Sequence, residues 1–396
     1  MKARQSDNRK AEGLKSMNKA IKYRIYPTEQ QRELFIRTFG CCRKVYNLML
    51  QDKIRFYTEH ASFGMQTPAM YKKDYPYLRE VDSLALANVQ LNLQRAMKNR
   101  FDRSRKKQNG FPKFKSAKRS RKAYTTNNQH GSIAITSNAV KLPKLGWVKA
   151  KIHRRPEQEW KLKSATISQG SDENFYVSIL FEYEQNIVQV PRDSIQDDRV
   201  IGLDYASNGL YTDDAGNIGT VHKYYRESHA KLAKAQRRLS RMKGSKKNEP
   251  KSKNYIKQLR KVNRIHHHIA NQRKDTLHKI STGIANRYDV VCVEDLNLKA
   301  MANKGFGNGK ATLDNGYGMF LNMLEYKLSD RGKYIIKVDK WYPSSQLCHC
   351  CGQMHPEMKD LSIRKMRCDC GLIMDRDQNA AINIKKEGLR MLRNAA

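Results

Sequence analysis

Acidic side chains are the scarce class in this chain: 38 Asp and Glu stand against 77 Lys and Arg in 396 residues, a formal net charge of +39 at pH 7. Self-repulsion on that scale destabilises a compact state unless a polyanion neutralises it, which points to nucleic acid or an anionic membrane as partner. Long apolar runs are missing too. No stretch of about 18 apolar residues exists to span a bilayer, the N-terminal MKARQSDNRKAEGLKSMNKA has no apolar signal-peptide core, and mean hydropathy is −0.81. A membrane partner is therefore disfavoured, and a soluble intracellular protein is expected. Proline and glycine are modest at 10 and 22, while 39% of residues are hydrophobic and 9% aromatic, so packed cores are expected rather than disorder. Length suggests two to four domains. Cysteine is sparse as well, yet five of the eight, Cys348, Cys350, Cys351, Cys368 and Cys370, crowd one segment. In a reducing compartment that crowding suggests a metal site, not a disulfide framework.

Residues 1–16 are polar and aperiodic and read as a disordered leader. Ile21, Tyr23 and Ile25 then alternate with Lys22, Arg24 and Tyr26, the period of a strand with one apolar and one largely basic face. Thr28 and Gln31 form a capping box, and Leu34, Thr38, Cys41, Val45 and Leu48 follow at helical spacing, which makes Cys41 and Cys42 core residues. A second helix is expected from Ser83, as N-cap, through Leu86, Leu93, Ala96, Met97 and Phe101. Residues 98–122 are densely basic, with Phe101, Phe111 and Phe114 interleaved, as on a phosphate-tracking surface with stacking rings. Short alternating segments from Ser132 to Glu184, with turns at 142–147 and 170–174, suggest a small barrel that includes the early strand and carries the helical block 28–123 as an insertion. Beyond Pro191, the apolar runs ending at Asp204 and Glu294, a further strand at 334–338, and basic helices over 223–285 argue for an α/β sheet covered by helices.

Three acids stand out by position. Asp204 and Glu294 end apolar strands, and Asp377 opens a helix in MDRDQNAA. Each alone is explained by a strand-end turn or a helix N-cap. Together they fit a two-metal hydrolase, which needs carboxylates from separate elements converging on Mg²⁺ ions, a hard cation that takes oxygen ligands. The cysteines frame CHCCG and CDCG, close to the template for a tetrahedral zinc ribbon. Cys348, Cys351, Cys368 and Cys370 are the chosen ligands and Cys350 the spare; the second knuckle is one residue short of the template, which leaves Cys350 open as a replacement. Four thiolates leave no open position, so this zinc is expected to be structural.

In order and spacing, GLDYASNGLYTDDAGN, HHHIANQRKDTLHKIS, VVCVEDLNLKAM, KVDKWYPSSQLCHCCG and CGLIMDRDQNAAINI resemble TnpB, the transposon-encoded relatives of type V CRISPR effectors. YRIYPTEQQ, FGCCRKVYNLML, NGFPKFKS and KLPKLGWVK resemble the same family's N-terminal landmarks. The resemblance runs over residues 18–390. It implies an α+β multidomain protein: a wedge-like β-barrel (17–27 and 124–195) with a helical recognition lobe (28–123) inserted, then an RNase H-like α/β RuvC nuclease domain (196–340 and 372–396) with a zinc ribbon (341–371) inserted.

On these residues the resemblance implies Asp204, Glu294 and Asp377 as catalytic Mg²⁺ or Mn²⁺ ligands and Arg376 as a phosphate contact, with an ion pair to Asp375 the alternative. Asn271, Arg273, His278 and Lys279 would line a nucleic-acid channel, with plain helix surface the alternative. The implied function is an RNA-guided DNA endonuclease, one protein per guide RNA from the transposon end. It would cut double-stranded DNA beside a short motif, in a prokaryotic cytoplasm near the nucleoid, while base pairing supplies sequence specificity. A guided repressor without catalysis would lack one of the three acids, and a strand-transfer transposase would lack the cysteine insertion; neither pattern is found.

Overall fold

The computed structural model describes residues 14–60, 64–102, 110–246, 249–301 and 314–394. Most of the leader and part of the basic run, 103–109, therefore lie outside the described residues. The chain divides into two compact units, one spanning Leu14–Gln185 and the other beginning at Asn186. The division thus falls before the expected boundary at 195/196, because Ile195 packs with Val200, Val290 and Leu392 in the core of the second unit.

In the first unit, strand β1 (Leu14–Tyr26) buries Ile21, Tyr23 and Ile25 and exposes Lys22 and Arg24, as the alternation requires. It starts at Leu14, inside the segment expected to be a leader, and lies between β7 (Phe175–Asn186) and β5 (Gly146–Lys151) in a seven-stranded sheet. The remaining strands are β2 (Ala123–Asn127), β3 (Ala134–Ile135), β4 (Ala139–Leu142) and β6 (Lys161–Gln169), in the order β2-β6-β7-β1-β5-β4-β3. Helix α1 (Glu29–His60) opens on the expected capping box: Gln31 N–H donates to Thr28 Oγ1 at 3.3 Å and Thr28 N–H to Gln31 Oε1 at 3.1 Å. Helix α2 (Ser83–Phe101) is capped by Asp82, whose Oδ1 accepts from Leu84 N–H at 3.0 Å, rather than by Ser83, which lies inside the first turn. Phe35, Cys41, Cys42 and Leu86 of these helices share one core with Tyr23, Tyr124 and Val177 of the sheet, so the helical block packs on the strands instead of standing apart. Phe111 and Phe114 are exposed among lysines, as the interleaved pattern expects.

The second unit is built on a five-stranded sheet ordered β10-β9-β8-β11-β12. Its strands are β8 (Val200–Tyr205), β9 (Tyr211–Asp213), β10 (Ile218–Gly219), β11 (Val290–Glu294) and β12 (Tyr334–Val338). The first three pair antiparallel, while β8, β11 and β12 run parallel. Basic helices α3 (Tyr224–Ser240) and α4 (Lys253–Arg287) follow β10, and α5 (Tyr317–Ser329) precedes β12. A two-stranded hairpin, β13 (Lys365–Arg367) with β14 (Ile373–Asp375), leads directly into α6 (Arg376–Asn394). Burial on both faces makes β8 and β11 continuous apolar runs. Ile201, Leu203, Val291 and Val293 face α4 and α5, whereas Val200, Val290 and Cys292 face α6 with Ile384 and Leu392.

Two glycines set how closely α6 lies on the sheet. A Cβ on Gly202 would stand 2.1 Å from the Ala381 carbonyl oxygen, and one on Gly388 would stand 2.4 Å from Cys292 Sγ. Gly202→Ala therefore forces helix and strand apart and is expected to cost roughly 1–3 kcal/mol. Gly283→Ala is the control, since its Cβ meets open space on an exposed helix face. Urea denaturation should show loss of stability in the first variant and none in the second.

Candidate active site and metal centre

The two-residue period that sends Val200 and Gly202 toward α6 also sends Asp204 there, and Glu294 follows Val290 and Cys292 in the same sense. Parallel register places Leu203 beside Val293, so the two acids leave neighbouring strands side by side. Both stand at the carboxyl ends of parallel strands, where open α/β sheets bind ligands. The first turn of α6 brings Asp377 to the same place. Its N-cap role is taken by Asp375, whose Oδ1 accepts from Asp377 N–H at 2.9 Å and Gln378 N–H at 3.3 Å, leaving the Asp377 side chain for the cleft.

These acids line a cleft of about 530 Å³ together with Tyr205, Ser344, Leu361, Arg364 and Arg376. The Asp204 carboxyl is pushed well above the usual carboxylate range, first by burial and then by the charges of Glu294 and Asp377. Glu294 is raised by burial too, against the pull of a hydrogen bond from Ser344 Oγ at 2.6 Å. Arg364, delivered by the residue before β13, is ion-paired to Asp377 Oδ2. The Tyr317 hydroxyl is buried without a partner among the described residues, and its pKa is raised first by burial and then by the Asp204 and Glu294 charges. A cluster of carboxylates held against its own repulsion, beside an orphaned hydroxyl, fits a hard divalent cation with bound water.

The Sγ atoms of Cys348, Cys351, Cys368 and Cys370 all lie within 4.8 Å of one another, with Cys348 to Cys370 at 3.6 Å and Cys351 to Cys368 at 3.5 Å. Tetrahedral zinc with Zn–S near 2.3 Å puts sulfurs about 3.8 Å apart, so this set could hold the ion and the spare, Cys350, stays outside it. Gly352 and Gly371 turn the two knuckles at φ of 78° and 90°, and the backbone N–H groups of Cys350 and Cys351 reach the Cys348 sulfur. The shortened CDCG knuckle therefore still delivers both of its thiols.

Three family models match: one described as Cas12f1-like, TNB domain over residues 317–384, one as a helix-turn-helix domain over 17–62, and one as "Probable transposase" over 181–305. A Streptomyces pristinaespiralis protein whose name carries the words RNA-guided DNA endonuclease is 33% identical over 95% of this chain and 90% of its own length. InsQ of Escherichia coli (strain K12), with the same words in its name, is 30% identical over 94% and 93%. TnpB-like protein L79 of Acanthamoeba polyphaga mimivirus is 31% identical over 35% of this chain and 27% of its own length. The chain belongs to the TnpB family.

Among solved structures, a Cas12f1-sgRNA-target DNA complex shares the fold of this TnpB-family chain, with a TM-score of 0.59 at 12% identity over 93% of this chain and 99% of that one. Within 17–62, the described residues form strand β1 and one long helix. No helix of the described residues is long and apolar enough to cross a membrane.

Other candidates take different places. Arg376 lines the acid cleft while largely buried, and it donates to the Asp360 carbonyl at 3.0 Å, with no ion pair to Asp375 among the described residues. Arg364, which the sequence reading passed over, is the more exposed of the two guanidinium groups that line the cleft. Arg273 is consumed by a buried pair with Asp314 at 2.8 Å, and the His278 carbonyl accepts from Lys327 at 2.7 Å, so both help pack α4. Lys279 pairs with Asp275, and Asn271 bonds the neighbouring His267 on an exposed face.

A raised carboxylate pKa means that ionised Asp204 opposes folding: the penalty is absent below its unfolded pKa and grows as pH rises toward the folded value. Asp204→Asn in metal-free protein should therefore melt higher than wild type at neutral pH, with the difference vanishing in acid. Thermal melts across that range check the sign.

Proposed function

We propose that this chain is a transposon-encoded RNA-guided DNA endonuclease, which takes a guide RNA from the transposon end and cuts DNA beside a short motif by metal-dependent RuvC-type chemistry. The convergence of Asp204, Glu294 and Asp377 from two strands and a helix on one cleft carries this reading. The sheet order, three strands antiparallel then two parallel, supports an RNase H-like nuclease domain. The cysteine-bearing hairpins support a zinc ribbon inserted before the last acid, and the seven-stranded sheet with its two helices supports a wedge with a recognition lobe. Mg²⁺ or Mn²⁺ would be held by the three carboxylates; when bound it supplies an activated water and a stabilised leaving oxygen.

The chain's own residues supply the rest. Arg364 at the rim offers a charged fork to a phosphodiester oxygen. Leu361 and Met301 wall the cleft with apolar surface. Between α3 and α4, Lys231, Lys234, Arg237, Arg238, Arg241 and Lys261 line a groove of about 750 Å³ suited to a nucleic-acid backbone. With the basic run at 98–122, it supports a guide RNA and target duplex as the counter-charge to the net +39. One protein per guide RNA, working near the nucleoid of a prokaryotic cytoplasm, completes the reading.

RNA recovered with protein purified from its host should be one abundant species from the adjacent transposon end; random RNA would sink the guide assignment. In that complex Asp204→Ala should abolish target cleavage while guide and target binding persist, and cutting that survives ends the RuvC assignment. Joining of a labelled transposon end would instead indicate a strand-transfer enzyme. Cys351→Ser should release zinc and lower the melting temperature. Metal analysis finding unchanged zinc removes Cys351 from the ligand set.

A further inference from the structure

Glu294 is the least constrained of the three acids by chain geometry, since its side chain has one more rotatable bond than an aspartate. One oxygen is nonetheless fixed. Ser344 Oγ donates to Oε1 at 2.6 Å, and Oε2 accepts no hydrogen bond among the described residues. Ser344 is itself buried, and its carbonyl is held by Asn383 Nδ2 at 2.8 Å. The same amide reaches the Leu347 carbonyl at 2.7 Å, as does Asn379 Nδ2, also at 2.7 Å. Asn379 Oδ1 in turn accepts from His349 N–H at 3.0 Å.

Asn379 and Asn383 sit one turn apart on one face of α6 and are both buried. Buried amides must be satisfied, and here the backbone of 344–349 satisfies them. Asp377 lies two residues before Asn379 on the same helix. Ser344 therefore has its hydroxyl on one acid and its backbone on the element that carries another. Its hydroxyl is neutral, so it orients Glu294 without competing as a charge for the carboxylate, unlike Arg364 on Asp377.

We propose that Ser344 is a positioning residue for the metal-dependent cleavage argued above, on which this inference rests: it fixes Glu294 relative to the helix bearing Asp377, with Asn383 as its anchor. The set of carboxylates is then a preorganised frame, and losing the strut loosens the frame without removing a ligand.

The test uses the full chain with its co-purified guide RNA and a matching DNA duplex. Mn²⁺ affinity is read by electron paramagnetic resonance and cleavage by single-turnover kinetics in wild type, Ser344→Ala, Ser344→Cys, Ser344→Thr and Asp204→Ala. Ser344→Ala and Ser344→Cys should weaken Mn²⁺ binding and slow cleavage about 10- to 100-fold, the usual effect of removing a residue that orients a ligand. Target affinity, zinc content and melting temperature should stay near wild type in Ser344→Cys, which keeps the packing but donates weakly. Ser344→Thr, which keeps the hydroxyl, should recover most of the loss.

Wild-type Mn²⁺ affinity and rate in Ser344→Cys overturn the proposal, as does a Ser344→Thr complex no better than Ser344→Ala. Asp204→Ala separates two failures. Unchanged Mn²⁺ affinity there overturns the metal-site reading and this proposal together, whereas loss there with intact Ser344 variants overturns only the positioning role.

Discussion

The acid cleft depends on how closely helix α6 approaches strand β8. An aspartate side chain is short, so a helix-borne one meets a strand-borne one only if the two backbones nearly touch. Gly202 permits that at β8, where any Cβ would collide with the Ala381 carbonyl, and Gly388 repeats the arrangement against Cys292 of β11. Ala380 and Ala381 are both buried in the same contact. Small residues on both sides thus bring three charge-bearing positions together. Lys385 and Asp214 then lock the contact: Asp214 accepts from Gly202 N–H at 3.2 Å and from Lys385 Nζ at 2.8 Å.

Charge is distributed with a purpose that composition alone does not reveal. The chain carries twice as many basic as acidic residues, yet three acids are gathered where burial raises the pKa of Asp204 and Glu294 and repulsion adds to the rise at Asp204. Proteins give up stability at such places in exchange for function. Around the cleft the partners differ in kind. Asp377 meets a guanidinium, Glu294 a hydroxyl, and the Tyr317 phenol has no partner among the described residues. The cationic surplus lies instead on the groove between α3 and α4 and on the exposed strip that carries Phe111 and Phe114.

Much of this was legible in sequence because it rests on local rules. Period-two alternation placed Tyr23 inward and Lys22 outward. The Thr28–Gln31 box formed as its spacing requires. Cysteine spacing selected the four thiols that converge, even with a shortened knuckle. What escaped was set by tertiary contact. Asp82 displaced Ser83 as N-cap because two adjacent capping residues compete for one position. Arg376 reaches the cleft as its place beside Asp377 suggests, but its bond to the Asp360 carbonyl could not be read from sequence. Nothing local marks Ser344, a turn residue whose partner Glu294 lies at the end of β11, 50 positions earlier in the chain. Asn379 and Asn383 are ordinary helix polars until the loop they grip is in place. The division falls before the boundary that the resemblance implies because Val190 and Ile195 pack on the core of the second unit.

Asp375, Arg376 and Asp377 show how little slack that junction has. Three consecutive side chains leave the same turn for three destinations: the free N–H groups of the helix end, the carbonyl of a neighbouring loop, and the cleft. The two acids are chemically identical and are distinguished only by place. Asp375 keeps the helix end from recruiting Asp377, because a first turn with open N–H groups draws in the nearest carboxylate. The capping residue thus works as an insulator, separating the demand of the helix for negative charge from that of the cleft. A shift of one residue in this triplet would give each demand the wrong acid.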